Sequence, residues 1–270
     1  MIKSLSIIST LVIGLAAPLS LSALETERQL TLDATNIQSL LVDTGAGSLN
    51  IQGKAGIKEI QVKAQISVDG VDKDEADEWF ADHMNLSLTN DNGQAIFCAS
   101  FSYSSKSKCS TKKKLRDSWF GWNDERKIDV TIYMPENLAL EVDDGSGNTE
   151  IRDIASKVFV DDGSGHLEIA NIAGNLKVDD GSGDLIITNI QGDLYVDDGS
   201  GKLIIDQVTG EVEVDDGSGN IKVTNVAKKV YIDDGSGSVE ACHLGGDLTV
   251  DDGSGSVDTC DDIKGQVVIK

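Results

Sequence analysis

Proline is almost missing from this chain, with 2 in 270 residues, and aromatic side chains make up only 4%. Glycine, by contrast, numbers 28, while 39% of residues are hydrophobic and 26% charged. That balance is neither collagenous nor disordered, and the length allows one or two domains with a buried core. Basic residues are also scarce: 23 Lys+Arg against 46 Asp+Glu give a net charge of −23. Nucleic acid and anionic lipid both demand a positive surface, so neither is expected as a partner. Histidine occurs three times, as His83, His166 and His243, and none sits with Cys or Ser in a nucleophile motif. Long apolar runs are limited to the first residues.

That first stretch reads as an export signal. Lys3 supplies a basic start, residues 7–17 an apolar core, Pro18 a helix break, and Ser20-Leu21-Ser22 a small-x-small cleavage pattern. A run of about a dozen apolar residues falls short of the ~20 that span a bilayer. Residues 1–22 are therefore expected to be removed, leaving a mature chain without membrane insertion. Four cysteines in the mature region fit an oxidising compartment.

An internal repeat dominates the second half of the chain. Val142-Asp143-Asp144-Gly145-Ser146-Gly147 returns at Val160, Val178, Val196, Val214, Ile232 and Val250, each 18 residues on. Each unit splits into two halves, for example Leu176–Asp184 and Leu185–Asp193, and both share the pattern apolar-x-apolar-x-(Asp/Asn)-x-x-Gly-x. Period-2 alternation and then a glycine-bearing turn encode a short strand and a turn. Two strands and two turns per 18 residues describe one coil of an all-β parallel solenoid. Residues 139–270 then form seven coils, with equivalent residues stacked about 4.8 Å apart. The rows starting at Leu140, Val142 and Ile151 are expected to point inward.

Stacking also predicts a disulfide. Cys242 and Cys260 lie 18 residues apart, so they should sit about 5 Å apart, within the roughly 4.4–6.8 Å that a disulfide requires. By elimination Cys98 pairs with Cys109. Upstream, residues 23–138 read as an irregular β region capping the solenoid. It holds a degenerate strand-turn-strand copy at 41–51, a strand at 60–66, a short helix within 72–84 that packs Trp79 and Phe80 inward, and further strands near 86–88, 96–97 and 128–134. A basic segment at 98–127 carries Lys106, Lys108, Lys112, Lys113, Lys114 and Arg116, with Trp119, Phe120 and Trp122 close behind. Folding of this loop over the solenoid's open end explains it most simply; a partner-binding loop is the alternative.

The run Ile128-Asp-Val-Thr-Ile-Tyr-Met-Pro135-Glu-Asn-Leu-Ala-Leu-Glu-Val142 resembles the strand–Pro–strand junction of the bacterial putative-adhesin (toast-rack-like) β-solenoid family of unknown function. There a Thr-Gly-Ser-Gly-Asp turn recurs between short Val/Ile strands. The likeness spans roughly 37–270 in pattern rather than identity. It implies a right-handed β-solenoid on an exported protein. This chain departs from the pattern by placing Asp where Thr or Ser is usual.

Those aspartates form two files, one starting at Asp143 and the other comprising Asp144, Asp162, Asp180, Asp198, Asp216, Asp234 and Asp252. Turn chemistry explains Asp before Gly. It does not explain why a charged residue is kept, since the turn on the other edge uses Asn171, Asn189, Gln207, Asn225 and His243. Unit charges stacked 4.8 Å apart repel by about 0.9 kcal/mol even in water. Ca²⁺ bound along the second file would offset this; raised carboxylate pKa values or diffuse counterions would do so equally. A further row, Glu141, Phe159, Lys177, Tyr195, Glu213, Tyr231 and Thr249, points outward and puts aromatics on alternate coils, as solvent-side strand formers or as a ligand strip.

Repetition of the acidic pair on seven coils argues against catalysis, because a catalytic pair is normally unique. The expectation is a non-enzymatic, structural or adhesin-like module of the bacterial envelope, periplasmic or at the cell surface, with no cofactor. Its partner would be a protein or a glycan. The alternatives are a multivalent Ca²⁺-binding solenoid and, on fold analogy alone, a polysaccharide-active β-helix enzyme.

Overall fold

The computed structural model describes residues 23–101 and 126–270. The expected signal peptide, Cys109 and most of the basic loop lie outside the described residues. Nine elements precede the regular repeats: β1 (Leu24–Asp33), β2 (Ser39–Ala46), β3 (Leu49–Lys54), β4 (Glu59–Val68), α1 (Ala76–His83), β5 (Met84–Asp91), β6 (Gln94–Phe101), β7 (Arg126–Pro135) and the long β8 (Ala139–Ile154).

Short and long strands then alternate. The short ones are β9 (Val158–Asp162), β11 (Leu176–Asp180), β13 (Leu194–Asp198), β15 (Val212–Asp216), β17 (Val230–Asp234), β19 (Leu248–Asp252) and β21 (Val267–Ile269). The long ones are β10 (Gly165–Ile172), β12 (Gly183–Ile190), β14 (Gly201–Val208), β16 (Gly219–Val226), β18 (Gly237–Leu244) and β20 (Gly255–Thr259).

Every pairing along this series is parallel and nearly all keep the 18-residue register, for example Val178 with Val196 and Ile187 with Ile205; the last, β19 with β21, is shifted to 19. The short strands build one sheet and the long strands the other, and β8 belongs to both. The expected parallel β-solenoid is present. Its core is a continuous apolar seam. Val142, Val160, Val178 and Val196 are fully buried, as are Ile151, Ile169, Ile187 and Ile205. A further buried row, Ile154, Ile172, Ile190, Val208, Val226 and Leu244, closes the far edge.

The stack does not begin at residue 139. Strands β2 and β3 lie parallel on the two halves of β8, and β6 and β7 lie parallel on β2 and β3 in turn. Two more layers are thereby added, in an order different from that of the chain. Antiparallel β5 flanks β6, while β4 and then β1 extend outward from β7. The upstream buried residues join the repeats in one hydrophobic core.

The helix lies within the expected 72–84. It buries Phe80, whereas Trp79 is half-buried and stacks on His83 at 4.7 Å. Its eight residues cover an edge without spanning anything, and no helix among the described residues is long and apolar enough to cross a membrane.

Candidate functional site

The two aspartate files face opposite ways. Along each short strand, side chains alternate between the sheet's two sides. Positions 158, 160 and 162 therefore share the inner side, and 159 and 161 the outer. The file expected to hold metal is accordingly internal: Asp144, Asp162, Asp180, Asp198, Asp216 and Asp234 are only 1–3% exposed. Asp252, on the last full coil, is half-buried. Continuing the alternation from Leu140 and Val142 to Asp144 would have revealed this direction from sequence.

What each inner carboxylate meets changes after the first coil. Asp144 accepts hydrogen bonds from Thr44 Oγ1 at 2.7 Å and Thr149 Oγ1 at 2.8 Å. In register with Thr149, the later coils place Leu167, Leu185, Leu203, Ile221 and Val239. The hydroxyl partner is lost, and buried carboxylate oxygens of Asp162, Asp180, Asp198, Asp216 and Asp234 have no hydrogen-bond partner. One oxygen each of Asp198, Asp216 and Asp234 still accepts from the amide of Ser200, Ser218 or Ser236, at 3.0–3.1 Å.

Burial, and then the neighbouring carboxylates Asp144 and Asp180, raise the Asp162 pKa from 3.8 to about 7; the nearby amides of Ser164 and Gly163 offset part of this without closing a well-formed hydrogen bond. The same causes raise Asp198 and Asp216 to about 6. No three His, Cys, Asp or Glu side chains converge in a metal-holding group among the described residues.

The outer side of the short-strand sheet carries the predicted mixed row. It borders a groove of about 1240 Å³ whose lining includes Phe159, Lys177, Tyr195, Glu213, Tyr231 and Lys229. Lys177 Nζ lies between two rings, 4.9 Å from the centroid of Tyr195 and 5.8 Å from that of Phe159. Lys229 pairs with Glu211 at 3.0 Å on the same wall. Partial burial, and after it Asp197 and Asp215 of the outer file, raises the Tyr195 phenol, which therefore stays a hydrogen-bond donor. Phe159, Tyr195 and Tyr231 sit on every second coil, about 9.6 Å apart along the rod.

On the other edge, amide side chains bond one another and the carboxylates of Asp153 and Asp206. Asn171, Asn189, Gln207, Asn225 and His243 all adopt φ of 57–61°, and Asn189 Nδ2 donates to Asn171 Oδ1 of the previous coil at 2.8 Å. Cys242 and Cys260 form the expected disulfide, with a Cα separation of 5.0 Å. Cys98 is disulfide-bonded as well; its expected partner Cys109 lies outside the described residues.

With this geometry in view, the Toastrack DUF4097 family matches residues 37–264. The chain belongs to that family. No curated protein matches it. Among solved structures, one similar to this chain is the putative lipid binding protein from Parabacteroides distasonis. It is 14% identical, with a TM-score of 0.50, covering 90% of this chain and 96% of the other. A putative cell adhesion protein from Clostridium sporogenes is 11% identical, with a TM-score of 0.30 and coverage of 87% and 98%. A putative adhesin from Bacteroides fragilis is 14% identical, with a TM-score of 0.27 and coverage of 90% and 96%. At 14% identity the likeness to the first of these concerns the fold alone, and the chemistry of this Toastrack chain has to be read from its own side chains.

Proposed function

We propose that this Toastrack solenoid is an exported, non-enzymatic, adhesin-like module of the bacterial envelope that holds an extended neutral glycan along its short-strand face. The observation that carries this reading is the row of Phe159, Tyr195 and Tyr231 on alternate coils beside a groove. Ring faces at a two-coil spacing suit a polymer that presents an apolar sugar face once per two pyranose units. The adjoining outer carboxylates accept hydrogen bonds from sugar hydroxyls and repel acidic polymers. The Cys242–Cys260 disulfide agrees with an oxidising compartment. Repetition of the same side chains coil after coil suits multivalent holding rather than a single reaction centre.

Calorimetric titration of the purified protein with β-linked glucose, mannose and N-acetylglucosamine hexasaccharides tests this. At least one should bind, and Tyr195→Ala with Tyr231→Ala should weaken it by tenfold or more while circular dichroism is unchanged. Binding of none of the three, or unaltered affinity in the double variant, refutes the proposal.

A further inference from the structure

The inner aspartate file is not used by the outer face, yet burying its carboxyl groups is costly. Six carboxyl groups lie inside the seam at 1–3% exposure, each one coil from the next. Side chains of this type are almost never fully buried unless paired. The pairing is missing because the opposite sheet changes: Thr149 satisfies Asp144, and its counterparts facing the later aspartates are Leu167, Leu185, Leu203 and Ile221. No well-formed hydrogen bond reaches either oxygen of Asp162 or of Asp180, although the nearby amides of Ser164, Gly163 and Ser182 offset part of the burial.

The surroundings narrow the choice of what neutralises them. From the long-strand sheet, the file is faced by apolar side chains. Along the rod, it is faced by its own members. On its own strands, the outer aspartates Asp179, Asp197, Asp215 and Asp233 add to the repulsion. The backbone amides of Ser200, Ser218 and Ser236 supply one donor each. Among the described residues, no lysine or arginine is a main influence on Asp162, Asp180, Asp198, Asp216 or Asp234. Ca²⁺ takes about 6–8 oxygens in its shell, and a single file hemmed in by leucine does not bring such a set together. A proton needs only one acceptor oxygen on the next coil.

We propose that the inner file is a proton-holding column, in which protonated aspartates donate O–H to the carboxylate of an adjacent coil and the solenoid is tightened by mild acid. The proton remains on one oxygen and is shared by hydrogen bond with the next, so that alternate coils carry acid and carboxylate. As the file is lined up with the strand ladder, each such bond joins two coils in the same direction as the backbone bonds.

Linkage fixes the sign. The native state holds protons that the unfolded chain, with aspartates near 3.8, has already released. Stability therefore increases as pH falls from about 7 toward about 4 and is lost as pH rises through the native values.

Thermal melting of the disulfide-intact protein from pH 8 to pH 5, in EDTA and in Ca²⁺, tests the column. The expected result is a Tm several °C higher at pH 5 than at pH 8, the same in both buffers. The combined Asp162→Asn, Asp180→Asn, Asp198→Asn, Asp216→Asn variant should melt above the wild type at pH 8 and show a shallower profile, since Asp144, Asp234 and Asp43 still titrate from raised values. Infrared difference spectra of the wild type need no variant, and should retain a protonated-carboxyl C=O band at pH 7. A flat or falling wild-type Tm on acidification, the absence of that band, or a Tm that rises at pH 8 on adding Ca²⁺ would each overturn the proposal. The last outcome would assign neutralisation to the cation.

Discussion

Gly183→Ala offers a direct measure of how tightly the coils are stacked. Gly183 has φ of +143°, and a Cβ built on it would lie 1.6 Å from the carbonyl oxygen of Gly165 on the coil below. Relieving that overlap requires the two turns to part by more than about 1 Å, since real Cβ contacts stay beyond 3.0 Å. The bonds from Gly183 N to Ser200 O at 2.9 Å and from Gly165 N to Ser182 O at 3.0 Å are the first to be strained. Losing most of two hydrogen bonds costs about 2 kcal/mol, and holding a non-glycine residue in this backbone region adds about 1–3 kcal/mol. Together these come to about 3–5 kcal/mol. At about 2–4 °C per kcal/mol for a chain of this size, Tm should fall by about 10 °C.

Gly56→Ala is the matched control. Gly56 also has positive φ, +76°, but nothing lies within 4 Å of its Cβ position. It should cost about 1–2 kcal/mol, from the backbone alone. Melting curves by far-ultraviolet circular dichroism decide between them. If Gly183→Ala melts within about 2 °C of Gly56→Ala, a gap below 1 kcal/mol, the close approach of successive turns does not limit stability and the reasoning fails.

Two further substitutions probe the ends and the edge. Replacing Cys242 and Cys260 together by serine opens a loop of 18 residues, whose closure entropy is worth about 3 kcal/mol. A lower urea midpoint should result, and an unchanged midpoint would show that the last coils do not limit unfolding. Asn189→Ala loses the bond to Asn171 and the short polar side chain that makes φ of 57° tolerable, at a cost of about 1–3 kcal/mol. Asn189→Gly should recover the backbone part, and equal losses for the two variants would refute an αL requirement.

Some of this architecture is legible in residue order, and the reasons are local. An 18-residue period with alternation inside it can only stack one way, so the Val142 and Ile151 rows and the Cys242–Cys260 bond can be read from spacing. The mixed outer row from Glu141 to Thr249 is legible for the same reason, and the groove beside it is not, because its walls come from residues spread over several coils. The amide ladder at Asn171 and Asn189 is foreshadowed by uncharged residues at a fixed offset.

The N-terminal layers are a different matter. Thr44 bonds Asp144, and Asn50 bonds Glu150, each across 100 residues. The 18-residue period cannot register such partners, because residues 55–138 interrupt it. Strands β6 and β7 join the stack from within that interruption, paired with β2 and β3.

The scarcity of proline and basic residues already pointed to an extended, hydrogen-bonded and strongly acidic chain. By itself the sequence determined that the chain coils every 18 residues, that valine and isoleucine fill the seam, and that two files of aspartate run along it. Only the tertiary structure decided what the inner file meets, which is settled by packing across the core. The strand's pleat supplies the direction, but the cost comes from what the opposite sheet places there: threonine once, then leucine and isoleucine. A carboxylate's chemistry depends on its neighbours across the core, and those neighbours are chosen by the fold.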